Sequence, residues 1–366
     1  MRFVQRRSVR DIPTRFGHGL WWAVCVAWVG IFVAGTPGRG DAADEGPSAD
    51  VVVVIGAAGT DEYAEPLRQW AAELDALRDH SDIRLQVIGS PVASPDTAAL
   101  ADVSSEPTND RQRLRQALAE RVKPVTATGD GDAGPNGGPT LWLILLGHGT
   151  FADDVAKFNL VGPDVSAAEL AQWLSATSSR TVIVNAASCS GPFVNRLSGP
   201  DRVVVTATQS GDERDWTRFG GYFVQAIISD AADLDHDDET SVLEAFVMAA
   251  GKTRQFYRDA GRIASEHALI DDNGDAQGTP AQWFDGLSAD QKHAEADGNL
   301  AKRITLVAAS DQPRLDEAQR AERDVIEGEL ETLKRRKPKM NAAEYWSTLE
   351  ALMLRQAELY QRSADQ

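Results

Sequence analysis

Five short runs of strand-forming residues, spaced apart by helical patterns, constrain this chain more than any other feature. They are Val51–Ile55, Ile83–Ile88, Leu141–Leu146, Thr181–Val184 and Val203–Ala207. Nearly unbroken apolar runs of this length suit strands buried on both faces of a parallel sheet. Between them, Leu67, Trp70, Leu74 and Leu77 recur at helical spacing, Arg111–Val122 places Leu114 and Leu118 on one side, and Ser166–Leu174 reads as a short helix. The alternation predicts an α/β fold: a doubly wound, mostly parallel sheet whose third and fourth strands are neighbours. Helices are expected over Phe219–Ile228 and Ser241–Tyr257, and an edge strand over Leu300–Val307. No solenoid-type repeat is present.

The C-terminal part reads as a separate helical hairpin. Leu315, Ala318, Val325, Ile326, Leu330 and Leu333 form one apolar stripe, Lys337-Pro338 breaks it, and Tyr345, Leu349, Leu352 and Leu359 form a second. Asn341 and Glu344 have capping-box spacing. The expected organisation is therefore residues 1–42 as an export segment, 43–50 as a linker, 51–310 as the α/β domain and 311–366 as the hairpin.

The first 42 residues set the compartment. Arg2, Arg6, Arg7, Arg10 and Arg15 precede an apolar run from Leu20 to Ala34, and Gly40-Asp41-Ala42 suits signal cleavage. The run is shorter than the roughly 20 residues of a membrane span; the alternative is an uncleaved anchor, which would be the chain's sole link to a membrane. Arg6-Arg7 with Val9 also fits twin-arginine export. The expected location is the periplasm, the cell envelope or the exterior. The formal net charge is −18, and residues 1–42 hold six Arg against two acids, so the rest of the chain stands at −22. Such a balance repels phosphate backbones and argues against a nucleic-acid partner.

Of the two cysteines, Cys25 lies within the apolar run, so cleavage would leave Cys189 alone and without an internal disulfide. A lone cysteine is most simply a small packing residue, and its surroundings suggest otherwise. The third strand ends at Gly147-His148-Gly149, and the fourth runs into Asn185-Ala-Ala-Ser-Cys-Ser-Gly191. Ligands of open α/β sheets bind at the carboxyl ends of strands, and adjacent strands lie only about 4.8 Å apart. Cys189 beside His148 would form a nucleophile with its acid/base partner. The Gly149 N–H, with that of the nucleophile, would hold an oxyanion. A turn histidine and a packing cysteine remain the plain alternative.

This order of parts resembles the caspase–hemoglobinase cysteine peptidases, most closely the legumain-type enzymes and their bacterial relatives. The resemblance spans Leu141–Gly278. It rests on strand-His148-Gly149, on the strand leading to Cys189-Ser190-Gly191, on Phe158-Asn-Leu-Val-Gly-Pro-Asp164, and on Glu266-His-Ala-Leu-Ile-Asp-Asp-Asn-Gly-Asp275. It implies hydrolysis of peptide bonds in a peptide or protein substrate, with no required cofactor. It also implies that Glu213 and Asp215, after the fifth strand, help shape the substrate pocket; exposed loop charge is the alternative. The family's nucleophile reads acid-Ala-Cys-x-Ser-Gly. Aligned on Ser190-Gly191, that pattern puts Ala186 on the acid and Ser188 on the nucleophile, with Cys189 one residue late. On a strand, one residue reverses the face a side chain meets, unless a bulge intervenes. Three outcomes stay open: a cysteine peptidase using Cys189, a serine variant using Ser188, or a non-catalytic interaction scaffold. An unrelated serine α/β-hydrolase with His267 as late base is disfavoured, because Ser188 stands where its Gly-x-Ser-x-Gly elbow needs the first glycine.

Two acidic segments complete the reading. Asp233, Asp235, Asp237, Ser241 and Glu244 fall on positions 1, 3, 5, 9 and 12 of an EF-hand-type calcium loop, although Asp238 occupies the position that wants glycine. Ser241 and Glu244 also form a capping box for the following helix. Asp271-Asp-Asn-Gly-Asp275 reads as a solvated turn rather than a metal site.

Overall fold

The structure is a computed structural model that describes residues 47–89, 109–121, 138–177, 179–235, 239–289, 297–307 and 317–364. The export segment, Asp237 and Leu315 lie outside these residues. Among the described residues, no helix is long and apolar enough to cross a membrane.

The chain alternates as its apolar runs predict. Strand β1 (Ala49–Ile55) leads to α1 (Asp61–Asp75) and β2 (Ile83–Ile88); α2 (Asp110–Arg121) then leads to β3 (Thr140–Leu146). A small antiparallel sheet follows, built from β4 (Gly149–Ala152), β5 (Val155–Phe158) and β6 (Val165–Ser166). Next come α3 (Ala167–Trp173), β7 (Thr181–Asn185), α4 (Val194–Leu197), β8 (Arg202–Thr206), α5 (Phe219–Ile227) and α6 (Val242–Asp259). Strands β9 (Leu269–Asp271) and β10 (Thr279–Pro280) close one sheet edge. A short hairpin of β11 (Phe284–Asp285) and β12 (Ser288–Ala289) precedes the C-terminal helices α7 (Glu317–Arg336) and α8 (Ala342–Ala364).

The main sheet runs β10-β9-β8-β7-β3-β1-β2. Its five long strands are parallel, and β9 pairs antiparallel with both β8 and β10. Both faces of β1 are covered, and Val51 to Ile55 expose nothing. Val51, Val53 and Ile55 meet Leu67, Trp70 and Leu74 of α1 in a core shared with α5 and α6. Val52 and Val54 face the other way, into a core with α2, α3 and α4. A fully buried Val or Ile contributes about 1.5–3 kcal/mol, so this alternation holds both helical layers to one sheet.

Strand order reverses between β1 and β3, and there the backbones crowd. The Gly56 N–H donates to the Leu146 carbonyl at 2.8 Å. A Cβ on Gly56 would stand 2.6 Å from the Asn159 carbonyl oxygen, and one on Gly147 would stand 3.1 Å from Gly56 Cα. Glycine at both positions lets β1 and β3 end side by side beneath the Phe158 ring.

Three expectations need correction. Leu300–Val307 forms no edge strand; Ala301–Arg303 is a single 3₁₀ turn, and Thr305 makes one isolated bridge to Ser241. The edge belongs to β9 and β10, so Asp271 is a strand residue. Asp271 and Asp272 are buried, and Asn273, Gly274 and Asp275 of that acidic turn are exposed. In the hairpin, Val325 is exposed while Ile326, Leu330 and Leu333 face α8. At 3.6 residues per turn, two consecutive apolar positions straddle the stripe, and here the second faces inward.

Candidate active site at the ends of β3 and β7

Strands β3 and β7 pair in parallel, with Leu145 opposite Asn185. Their carboxyl ends therefore emerge together, and the segments beyond them touch. The Gly149 N–H donates to Ser188 Oγ at 3.1 Å, and the Ser188 hydroxyl donates to the Gly149 carbonyl at 3.2 Å. A Cβ on Gly149 would lie 2.3 Å from the Ser188 carbonyl oxygen. Only glycine allows the two tips to meet in this way.

Strand β7 ends at Asn185, three residues before Ser188, so strand alternation does not govern positions 188 and 189. Asn185 turns the chain by accepting the Ala187 N–H on its side chain at 3.1 Å. Ser188 and Cys189 then point to different neighbours through the backbone conformation of a loop. Cys189 has φ +55°, in the left-handed region that non-glycine residues rarely enter. Its N–H donates to the Glu213 carbonyl at 2.8 Å. Cys189 as a residue is 2% exposed and belongs to neither main core; its thiol lies by the Phe151 backbone, near Arg214, Asp212 and Glu213. Burial pushes the thiol up, against the pull of the Arg214 charge and the Phe151 backbone.

His148 is partly exposed at the sheet's topological switch point. Its carbonyl accepts the Asn159 N–H at 3.0 Å, which fixes the backbone. The imidazole meets Tyr63 and Trp216 edge-on, with ring centroids 5.2 and 5.0 Å away. Those two rings stack on each other at 4.6 Å, and Trp216 stacks on Trp70 at 5.5 Å. Burial among these rings pushes the His148 pKa down, favouring the neutral imidazole. Among the described residues, no hydrogen bond joins His148 to Ser188 or Cys189. The backbone donors expected to hold an oxyanion, Gly149 and Cys189, both have partners within the protein.

Glu213 and Asp215 differ sharply. Asp215 is exposed. The Glu213 carboxylate accepts from His267 Nδ1 at 2.5 Å, from the His267 N–H at 3.2 Å and from the Gln209 N–H at 2.9 Å. His267, considered only as the late base of a serine α/β-hydrolase, is thus bound to the segment covering Cys189.

Tyr63, Phe151, Thr208 and Trp216 also build the site, and no sequence motif singled them out. Thr208 Oγ1 lies 3.1 Å from Ser190 Oγ and accepts the Gly191 N–H at 3.0 Å, stitching the loop after β7 to the loop after β8. The aromatic residues come from α1, from β4 and from the approach to α5, elements brought together only by the sheet order.

The calcium-loop residues form a separate group. Ligand-type oxygens of Asp233, Asp235 and Glu244 lie within 4.8 Å of one another. Ser241 and Glu244 make a complete capping box at the start of α6. Glu244 Oε1 also accepts the Leu234 N–H at 2.7 Å and the Asp235 N–H at 3.4 Å. Both its oxygens therefore serve the backbone.

No protein-family model and no curated protein matches the sequence. Solved structures with partial likeness include the Drosophila initiator caspase Dronc. It is 14% identical, with 64% of this chain and 82% of that one covered and a TM-score of 0.34. Caspase-1 from Spodoptera frugiperda is 11% identical over 62% of this chain and 88% of its own, with a TM-score of 0.36. A Geobacter sulfurreducens protein is 12% identical over 61% and 92%, with a TM-score of 0.34. At these values the likeness says nothing about individual residues or their chemistry.

Proposed function

We propose that this protein is an exported, legumain-like cysteine peptidase whose site rests in a closed form. One observation carries the reading: Gly149 and Ser188 join the ends of two neighbouring central strands, bringing His148, Ser188 and Cys189 to one end of the sheet. In the proposed reaction, neutral His148 takes the Cys189 thiol proton as sulfur attacks the scissile carbonyl carbon. The carbonyl oxygen gains the electron pair and is held by the Gly149 N–H, freed from Ser188. Collapse of the adduct breaks the C–N bond, and His148 returns the proton to the leaving amine. Water then hydrolyses the thioester, releasing the carboxylic acid and the thiol. In this reading the exposed Asp215 would select a basic or amide side chain of the substrate.

A second reading has its own support. Both oxyanion donors are engaged within the protein, as in a scaffold that binds partners without turning them over. The discriminating experiment uses an irreversible peptidyl electrophile and a peptide substrate. Wild type is expected to form an adduct on Cys189 and to turn over. Cys189→Ala should lose both, His148→Ala should lose at least about a hundredfold in rate, and Ser188→Ala should retain most of it. Loss of turnover in Ser188→Ala but not in Cys189→Ala would assign a serine hydrolase. Neither adduct nor turnover in any form would assign the scaffold.

The acidic loop before α6 is proposed as a weak calcium site. Asp233 and Asp235 would supply the ligands, and Glu244 would join them only by giving up backbone hydrogen bonds.

A further inference from the structure

Both ends of Glu213 are in use. Its carbonyl oxygen accepts the Cys189 N–H at 2.8 Å. Its carboxylate, with a side chain only 12% exposed, is held by the His267 side chain at 2.5 Å and by the His267 and Gln209 backbones at 3.2 and 2.9 Å. Gln209 Nε2 adds a fourth bond at 3.3 Å. One residue thus ties together the loop after β7, the loop after β8 and the segment entering β9. The fit beneath is close. A Cβ on Gly191 would lie 2.4 Å from the Gln209 carbonyl carbon, and one on Gly211 would lie 2.2 Å from the Phe151 ring. Cys189 holds a left-handed conformation, which costs a non-glycine residue free energy and persists only where neighbours impose it.

We propose that Glu213, tied down by His267, is a positioning residue for Cys189, and that the two form a latch holding the thiol beneath the 209–214 loop. The latch is a contact internal to the fold, and releasing it exposes the thiol. On the peptidase reading, release also brings Cys189 to His148. The Nδ1–H of His267 faces the carboxylate, so an asparagine at 267 can supply a donor in its place, whereas alanine cannot. The role assigned here to the Glu213 side chain replaces direct contact with substrate.

The test reads thiol accessibility rather than turnover. The full chain is treated with iodoacetamide at neutral pH, and peptide mapping separates Cys189 from Cys25. Cys189 should label slowly in wild type, and at least about tenfold faster in His267→Ala and in Glu213→Ala, as expected for loss of a charge-assisted bond. His267→Asn should stay within about threefold of wild type. Glu244→Gln, which loosens the distant α6 cap, reports opening that is merely global. Wild-type labelling in His267→Ala would overturn the inference. So would equal acceleration in Glu244→Gln, or labelling of His267→Asn as fast as that of His267→Ala. Absence of peptidase activity in every form would leave these rates unchanged and bear only on the proposed function.

Discussion

At the scale of single residues, the motif alignment sets Ser188 against Cys189, and backbone conformation separates them. Ser188 is bonded to Gly149, while Cys189 at φ +55° lies by Phe151 with its amide on Glu213. Neither position follows strand alternation, because β7 has already ended. A second residue-scale effect lies far from this site. Asp297 is 3% exposed and accepts the Asp272 and Asn273 N–H groups and the Thr279 hydroxyl. Burial, helped by the Asp272 and Asp271 charges, raises its pKa from 3.8 to about 7. The folded state then keeps a proton that the unfolded chain has lost. Stability from this group is full below about pH 4 and falls as pH rises towards 7, by roughly 3–4 kcal/mol. Asp297→Asn removes the titration. Denaturant unfolding of both proteins from pH 4.5 to 7.5 should show the variant gaining on wild type as pH rises; a constant difference would refute the assignment.

At the scale of elements, α6 shows how one carboxylate serves competing readings. Glu244 accepts the Ser241 N–H and hydroxyl at 2.8 Å each, while Ser241 Oγ accepts the Glu244 N–H. The cap was legible because Ser-x-x-Glu spacing is local. Glu244→Gln should cost about 1–2 kcal/mol with or without calcium, measured by thermal or urea unfolding. Millimolar calcium should raise the melting temperature by a few degrees at most, since a weak ligand stabilises only in proportion to its occupancy. Asp233→Ala should remove that rise, and a rise unchanged in Asp233→Ala would place the ion elsewhere. Strands β9 and β10 escaped notice because they are only three and two residues long. Their strand state comes from the pairing of β9 with β8 and of β10 with β9, which no local pattern encodes.

At the scale of the whole molecule, the two faces of the sheet carry separate cores, and the C-terminal helices carry their own. Ile326 and Leu359 form one small apolar cluster, and Leu333, Tyr345 and Leu352 form another, all within α7 and α8. Glu329–Arg355 and Glu322–Arg362 ion pairs, at 2.5 and 2.8 Å, align the two helices from outside. Among the described residues, the sheet's cores contain none from either helix. A chain ending at Val307 should therefore still unfold cooperatively, with the circular-dichroism signal of α7 and α8 missing. A truncated protein without a cooperative transition would show that the hairpin is integral to the fold.

The amino-acid order alone determined the α/β class, the five parallel strands, the caps of α6 and α8, and the placing of His148 with residues 188–189 at one sheet end. These follow from periodicity and strand order, which are written locally along the chain. Tertiary structure alone decided which way Ser188 and Cys189 face, that Tyr63 and Trp216 enclose His148, and that Glu213 binds His267 rather than open solvent. Each of these joins segments tens of residues apart, through backbone geometry at chain turns and through burial. A local pattern carries no record of either, because both arise only when the sheet brings its loops together.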